Sequence, residues 1–277
     1  MTNSARALHA TQLTPDEVER ILRVCGTDAL LVGGQALAAW AVHYDIQPIG
    51  ELSRAVTMDV DFIGTSDVAH ALQRALGQPW KLRKGTLDDF DDFDDFDDFG
   101  GQVAKVYAKT MDGIKQVDFL SGIVGLDTEV VCKRATEVTL PDGVAVNVLH
   151  PLDVLESRLR NLDSIPAKRD ATGVAQARLA VRVVRAFIED YMDGGNDPRT
   201  VRQAVQRVEK IALDPRLAQV AFTYDVEVLV AIPVERIAYP RFHEWQWPKI
   251  LARLERKRQK FAALQARRIA LQARRST

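Results

Sequence analysis

The apolar run Ala29 to Val32 passes directly into Gly33-Gly34, after which Ala36, Leu37, Trp40 and Ala41 recur near 3.6-residue spacing. That pattern predicts a strand, a tight turn and a helix from Gly34 to Tyr44. Farther on, Val56, Met58, Val60 and Phe62 alternate with a set that includes Asp59 and Asp61. Period-two geometry turns the apolar set to a core and both aspartates to the opposite face of one strand. Upstream, Thr14-Pro15-Asp16-Glu17 reads as a capping box with proline at the first helical position. Val18, Ile21 and Leu22 mark the buried stripe of that helix, which is expected to run to about Cys25. Thr65-Ser66-Asp67 caps a further helix through Val68, Leu72 and Leu76 that stops at Gly77.

Gln102 to Lys109 and Ile114 to Leu120 predict two strands joined at Met111-Asp112-Gly113, which places Asp118 on a strand antiparallel to its neighbour. Val130 to Val138 and Val144 to Leu149 are expected as strands around Pro141-Asp142-Gly143. At His150-Pro151-Leu152-Asp153 the period changes, with His150 as a helix-start residue. Helices are predicted over Leu152 to Leu162, Gly173 to Tyr191, Pro198 to Ile211 and Trp247 to Leu271, with a break at Asp190 to Asn196. The expected architecture is α+β: a mixed-sheet core over residues 1–149 and a helical domain over 150–277.

Within the first of these parts lie four copies of Asp-Asp-Phe, from Asp88 to Phe99. Period three fits neither a strand nor an amphipathic helix over that length, so a loop is expected; carboxylates without fixed geometry bind cations weakly. Its phenylalanines leave open a grip on a partner or an edge of the fold. Pro240 to Pro248 is rich in aromatic residues and reads either as a packing latch or as a stacking platform. The net charge of -1 over 277 residues points neither to nucleic acid nor to a membrane as a partner of the whole chain. The C-terminal stretch, from Arg253 to Arg275, is by contrast strongly basic, either a solvated helix or a surface for RNA or a partner helix. Two cysteines, Cys25 and Cys132, are too few for a disulfide framework or a four-ligand zinc site, and both are expected to be buried. Without an 18-residue apolar run or an apolar signal core at Thr2 to Thr11, a soluble cytoplasmic protein with no membrane partner is expected.

Two like charges held side by side repel unless a cation lies between them, and hard divalent cations favour carboxylate oxygens. Mg2+ carrying a nucleoside triphosphate meets that requirement at Asp59 and Asp61. Gly33-Gly34 lets a backbone approach phosphates and leaves N-H groups unpaired at a helix start. Val117-Asp118-Phe119 echoes Val60-Asp61-Phe62, which makes Asp118 the candidate third carboxylate, holding a second metal and orienting or deprotonating an attacking hydroxyl. Arg54 and Arg158 are either phosphate contacts or solvated surface residues. The competing reading of the aspartate pair is a half-exposed strand with acids on its wet face.

The Gly33-Gly34 to Asp59-x-Asp61 unit, Asp118, and the helical segment from His150-Pro151-Leu152-Asp153 through Lys168-Arg169-Asp170 together resemble the nucleotidyltransferase fold superfamily, with its polymerase-beta-like mixed-sheet core. The nearest resemblance, over roughly residues 20 to 190, is to the minimal and abortive-infection type nucleotidyltransferases, whose members include toxin halves of bacterial toxin-antitoxin pairs. It implies phosphate handling by Gly33, Gly34 and the next residue, where relatives often carry Ser or Thr and this chain has Gln35. It also implies Mg2+ held by Asp59, Asp61 and Asp118. A helix position often filled by lysine looks like Arg158, which clamps phosphate but does not donate a proton. The implied reaction moves a nucleoside monophosphate from a triphosphate donor to a hydroxyl or phosphate acceptor and releases pyrophosphate. RNA, tRNA included, or protein is the acceptor class expected, with a cognate antitoxin as a further partner. The alternatives are a catalytically silent relative that binds nucleotide, RNA or protein, and an antibiotic-modifying transferase.

Overall fold

In the computed structural model the described residues are 11–47, 59–85, 101–140, 143–195 and 197–275. Arg54, Val56, Met58, the Asp-Asp-Phe repeat and Pro141-Asp142 lie outside them. The chain divides into two compact units, Met1–Leu179 and Ala180–Thr277.

The first unit is built on a mixed sheet. Its strands are β1 (Leu30–Val32), β2 (Val60–Ile63), β3 (Lys81–Lys84), β4 (Gln102–Lys109), β5 (Ile114–Leu120), β6 (Thr136–Thr139) and β7 (Ala145–Val148). Among the described residues they form one sheet in the order β3-β4-β5-β2-β1-β7-β6. β1 runs antiparallel to β2 and parallel to β7, and β2 runs parallel to β5. The β4–β5 hairpin closes at Gly113, whose carbonyl accepts from the Thr110 N-H at 2.8 Å. Val60, Phe62, Val117 and Phe119 are fully buried, and the Phe62 and Phe119 rings stack at 5.6 Å. Burying one such ring contributes about 1.5–3 kcal/mol.

Three helices, α1 (Pro15–Cys25), α2 (Gly33–His43) and α3 (Ser66–Leu76), begin as their caps dictate. Thr14 forms the full capping box with Glu17, and the Thr65 hydroxyl accepts from the Val68 N-H. α3 packs on α1, β3 and β4, while α2 packs on β1, β2 and α5 (Pro151–Ser164). The Trp40 indole N-H donates to the Leu149 carbonyl at 2.8 Å, tying α2 to the end of β7. His150 caps α5 through Nδ1, which accepts from the Leu152 N-H at 3.2 Å.

Several elements differ from the pattern reading. Val130 to Val138 is not one strand: Asp127 caps a short helix, α4 (Thr128–Lys133), and only β6 is extended. The Asp127 carboxylate accepting from the Val130 N-H at 3.0 Å starts that helix despite its β-branched residues. β3, Lys-Leu-Arg-Lys, carries no apolar alternation and exists as an edge strand on β4. Cys25 is buried as expected, but Cys132 is exposed because it faces outward from α4. The strands stop at Val148, next to the expected boundary at 149/150, yet the first compact unit extends to Leu179. Leu152, Leu155, Leu159 and Leu162 bury the inner face of α5 within that unit, where α5 meets α2.

The second unit contains the end of α6 (Ala171–Asp193), then α7 (Pro198–Leu213), α8 (Pro215–Thr223) and the long α9 (Trp247–Arg275). Asp197 and Asp214 cap α7 and α8 ahead of prolines at the first helical position. α7 packs on α8 and α9 through a face that includes Val205, Val208 and Ile211. In the aromatic stretch before α9, Phe242 is buried while Trp245 is exposed. The chain is thus a mixed α/β sheet core followed by a C-terminal helical region. Among the described residues no single helix is long and apolar enough to cross a membrane; α8 with Val228–Arg236 meets that test only as a pair bent by 102°.

Candidate active site

The sheet register builds the site. Val32 pairs with Asp61 across β1–β2, Asp61 with Asp118 across β2–β5, and Asp118 with Lys105 across β5–β4. Side chains at paired positions share a face, so one row crosses the sheet as Asp61, Asp118 and Lys105, with Asp59 two residues before Asp61.

β1 turns into α2 with no intervening loop, and Gly33 makes the turn with φ of 68°. A Cβ on Gly33 would lie 2.1 Å from Asp61 Oδ2. The glycine therefore serves both the left-handed backbone and the close approach of a carboxylate to the helix start. Val32, at the N-cap, makes no side-chain cap bond, and the first turn of α2 holds no acid. Gly34 is buried beneath it and Gln35 is half-buried. Such a start presents N-H groups and a partial positive charge to an anion.

Burial pushes the Asp59 carboxyl above the ordinary carboxylate range, with Lys168 and Lys105 opposing. Asp61 moves the same way, first through burial and then through repulsion from Asp59, against Arg158, Lys168 and Lys105. Asp61 keeps some exposed surface, but it sits deep enough among protein atoms for desolvation to dominate. Asp118 is pushed up to about 7 by burial, opposed by Lys105 and reinforced by Asp61 and Asp59. Its carboxylate accepts hydrogen bonds from the Gln102 amide on Oδ1 and from the Gln116 amide on Oδ2 at 3.4 Å, and Lys105 Nζ stands 3.5 Å from Oδ1.

Arg158 is buried, with 8 % of its surface exposed, and is no solvated helix residue. Its guanidinium donates to Gln176 at 3.0 Å and to the Ser157 hydroxyl at 3.4 Å. Burial pulls its pKa down while the Asp61 charge pulls it up. Lys168, in a 3₁₀ turn (Pro166–Lys168) after α5, is exposed and acts on Asp59 and Asp61 through space. The sequence reading did not single out Lys105, Gln102 or Gln116. Gln116 and Asp118 stand two apart on β5, a same-face signal, but Lys105 meets Asp118 only through the β4–β5 register.

The donor set suits a hard divalent cation. Burial raises all three carboxyls against the opposing pull of Lys105, Lys168 and, at Asp61, Arg158, and a bound cation would favour their charged forms. The side chains do not converge as a finished cage: among the described residues no three His, Cys, Asp or Glu side chains are disposed to hold one ion. Asp118 is already held by its glutamines and Lys105.

The raised Asp118 carboxyl has a pH signature. Its folded value, about 7, lies above the ordinary 3.8, so its favourable contribution is complete below about pH 4 and is lost as pH rises through 7. Asp118→Asn removes that loss, so the melting temperature of the variant relative to the parent is expected to rise between about pH 5 and pH 8, by the equivalent of about 2–4 kcal/mol at most. Thermal unfolding in chelator at the two pH values measures it. An unchanged difference would show that the carboxyl titrates normally.

No protein-family model matches the sequence, and no curated protein matches it either.

Proposed function

We propose that this chain is a Mg2+-dependent nucleotidyltransferase that moves a nucleoside monophosphate from a nucleoside triphosphate to a hydroxyl on RNA or protein. The observation that carries the reading is the carboxylate row of Asp61 and Asp118 with Asp59 beside it, desolvated, against the uncapped glycine start of α2. The nucleotidyltransferase fold resemblance agrees with a mixed sheet in which β1, the glycine turn and β2 stand at the centre.

Asp59 and Asp61 would hold the cation. Bound there, it would neutralise triphosphate charge and polarise the reacting phosphate. The N-H groups at the start of α2 receive phosphate oxygens, and Arg158 and Lys168 supply positive charge that the carboxylates leave over. Asp118, with a carboxyl near 7, is matched to general-base work at neutral pH. The acceptor hydroxyl gives its proton to Asp118, its oxygen bonds to the α-phosphorus, and the bond to the bridging oxygen of the β-phosphate breaks to release pyrophosphate. The family resemblance extends this to a toxin restrained by a cognate antitoxin.

Labelled triphosphates incubated with the protein, Mg2+, and either total RNA or lysate test the reading. Label is expected on one acceptor class with the parent and not with an Asp59→Ala/Asp61→Ala double variant. Equal labelling by both proteins, or none by the parent, defeats it.

A second reading, a silent relative that binds nucleotide without transfer, is favoured by one feature: Lys105 and two glutamines already satisfy Asp118. Calorimetric titration with each triphosphate separates the two. Metal-dependent binding, tighter by about tenfold or more with Mg2+, is expected of the enzyme; binding indifferent to Mg2+ belongs to the silent relative.

A further inference from the structure

α9 carries ten lysines and arginines against one acid, Glu255. Their placement is ordered. Lys249, Arg253, Arg256, Lys260 and Arg267 follow one another at intervals of four, three, four and seven residues, and Arg253, Lys260 and Arg267 repeat every seven. At 3.6 residues per turn these positions stay within one stripe, because seven residues drift by only about 20°. All five side chains, and Arg268 beside them, are exposed. From Lys249 to Arg268 the stripe is about 28 Å long at 1.5 Å per residue.

The other side of the helix is engaged. Ile250 is buried, and Leu254, Arg258 and Phe261 line a groove of about 680 Å³ with Phe222 and Val228. The Arg258 guanidinium lies 5.4 Å from the Phe222 ring centroid, so this arginine, though exposed, is engaged with an aromatic face on the groove side of the helix. Arg253 is in part committed, bonding Glu209 at 2.8 Å.

Like charges three and four apart on a helix each destabilise it by about 0.2–0.5 kcal/mol, and a polyanion laid along the stripe would reverse the sign of that term. An anionic bilayer needs an apolar face as well. The exposed large apolar residues of α9 do not make one: Leu264 and Leu271 fall inside the basic stripe, while Leu251, on the groove lining, and Ile269 lie about 140° away from Leu264 and 18 residues apart. A linear array of positive charge without an apolar face fits a phosphate backbone.

We propose that the exposed face of α9 is a docking surface for RNA, bound through its phosphates without regard to sequence. The assignment of RNA, rather than protein, rests on the transferase reading above, whose acceptor classes it narrows to one.

The test is fluorescence anisotropy of a labelled RNA duplex of about 20 base pairs with the full chain, in chelator and without triphosphate. Affinity is expected to fall with salt, with a log-log slope of about -3 to -5. The triple variant Lys260→Gln/Arg267→Gln/Arg268→Gln is expected to bind at least about tenfold more weakly with a slope nearer zero by about 2–3, while Arg74→Gln on α3 binds as the parent does. The helix content and melting temperature of the triple variant, unchanged for solvent-exposed substitutions, exclude loss of fold. Salt-independent binding, equal binding by the triple variant, tighter binding to DNA of the same sequence, or binding only to anionic vesicles would each overturn the proposal. Because no transfer is measured, RNA binding without transfer would sink the transferase reading alone, and transfer to protein without RNA binding would sink this one alone.

Discussion

Asp61→Asn is expected to lower nucleotidyl transfer by at least about 10³-fold and at the same time to raise the melting temperature of the protein in chelator at pH 8. The two effects have one cause. Asp61 is pushed above the ordinary carboxylate range by burial and by Asp59, so ionising it at pH 8 works against the folded state. With a raised folded pKa, the carboxyl contributes most below the unfolded value and loses that contribution as pH rises. The asparagine has nothing to ionise, so the stability gain is expected to be larger at pH 8 than at pH 5. For a domain of this size each kcal/mol corresponds to about 2–4 °C. Paired measurements of labelled-nucleotide transfer and thermal unfolding check both halves. Transfer that survives the substitution removes Asp61 from the chemistry. Loss of stability at both pH values would instead make Asp61 a structural partner of Arg158, whose charge acts on it.

Gly33→Ala is expected to destabilise the protein by about 2–4 kcal/mol and to abolish transfer even where the fold survives. A left-handed conformation costs a non-glycine residue roughly 1–2 kcal/mol. The new Cβ would also stand 2.1 Å from Asp61 Oδ2, so the carboxylate or the turn has to move. The clash and the backbone strain can be told apart by a double-mutant cycle. Asp61→Ala in the Gly33→Ala background is expected to restore the part due to contact, with a coupling of about 1 kcal/mol or more, and to leave the backbone part in place. Additive effects in denaturant unfolding would mean that the glycine is required by its φ alone.

Much of the first unit could be read along the chain. Local signals are strong where one residue answers one backbone need: the Thr14 and Thr65 caps, the Gly33 turn and the proline-led helices after His150 all depend on neighbours within four residues. The reading failed where local preference met a competing short-range cap or a long-range partner. β-branched residues over Val130 to Val138 suggested strand, but the Asp127 cap started a helix first. Lys81–Lys84 has no apolar alternation of its own and is extended because β4 offers a partner along its edge. Arg158 looked like one of several helix arginines, and only packing shows it buried against Gln176 and Ser157.

The sequence by itself determined that Asp59 and Asp61 stand two apart at the start of an apolar strand and that a glycine turn opens α2, because both follow from neighbouring residues and from the φ that a non-glycine residue resists. It also carried the basic spacing of α9, a property of residue numbers alone. The tertiary structure decided how these pieces meet. Register set Asp61 beside Asp118 and Asp118 beside Lys105, and placed Asp61 Oδ2 where a Gly33 side chain would otherwise be. Those pairings join positions far apart in the chain, and the burial that raises the carboxyl groups comes from every element packed around them. Neither can be read from a local window, because sheet register and desolvation are sums over the whole fold.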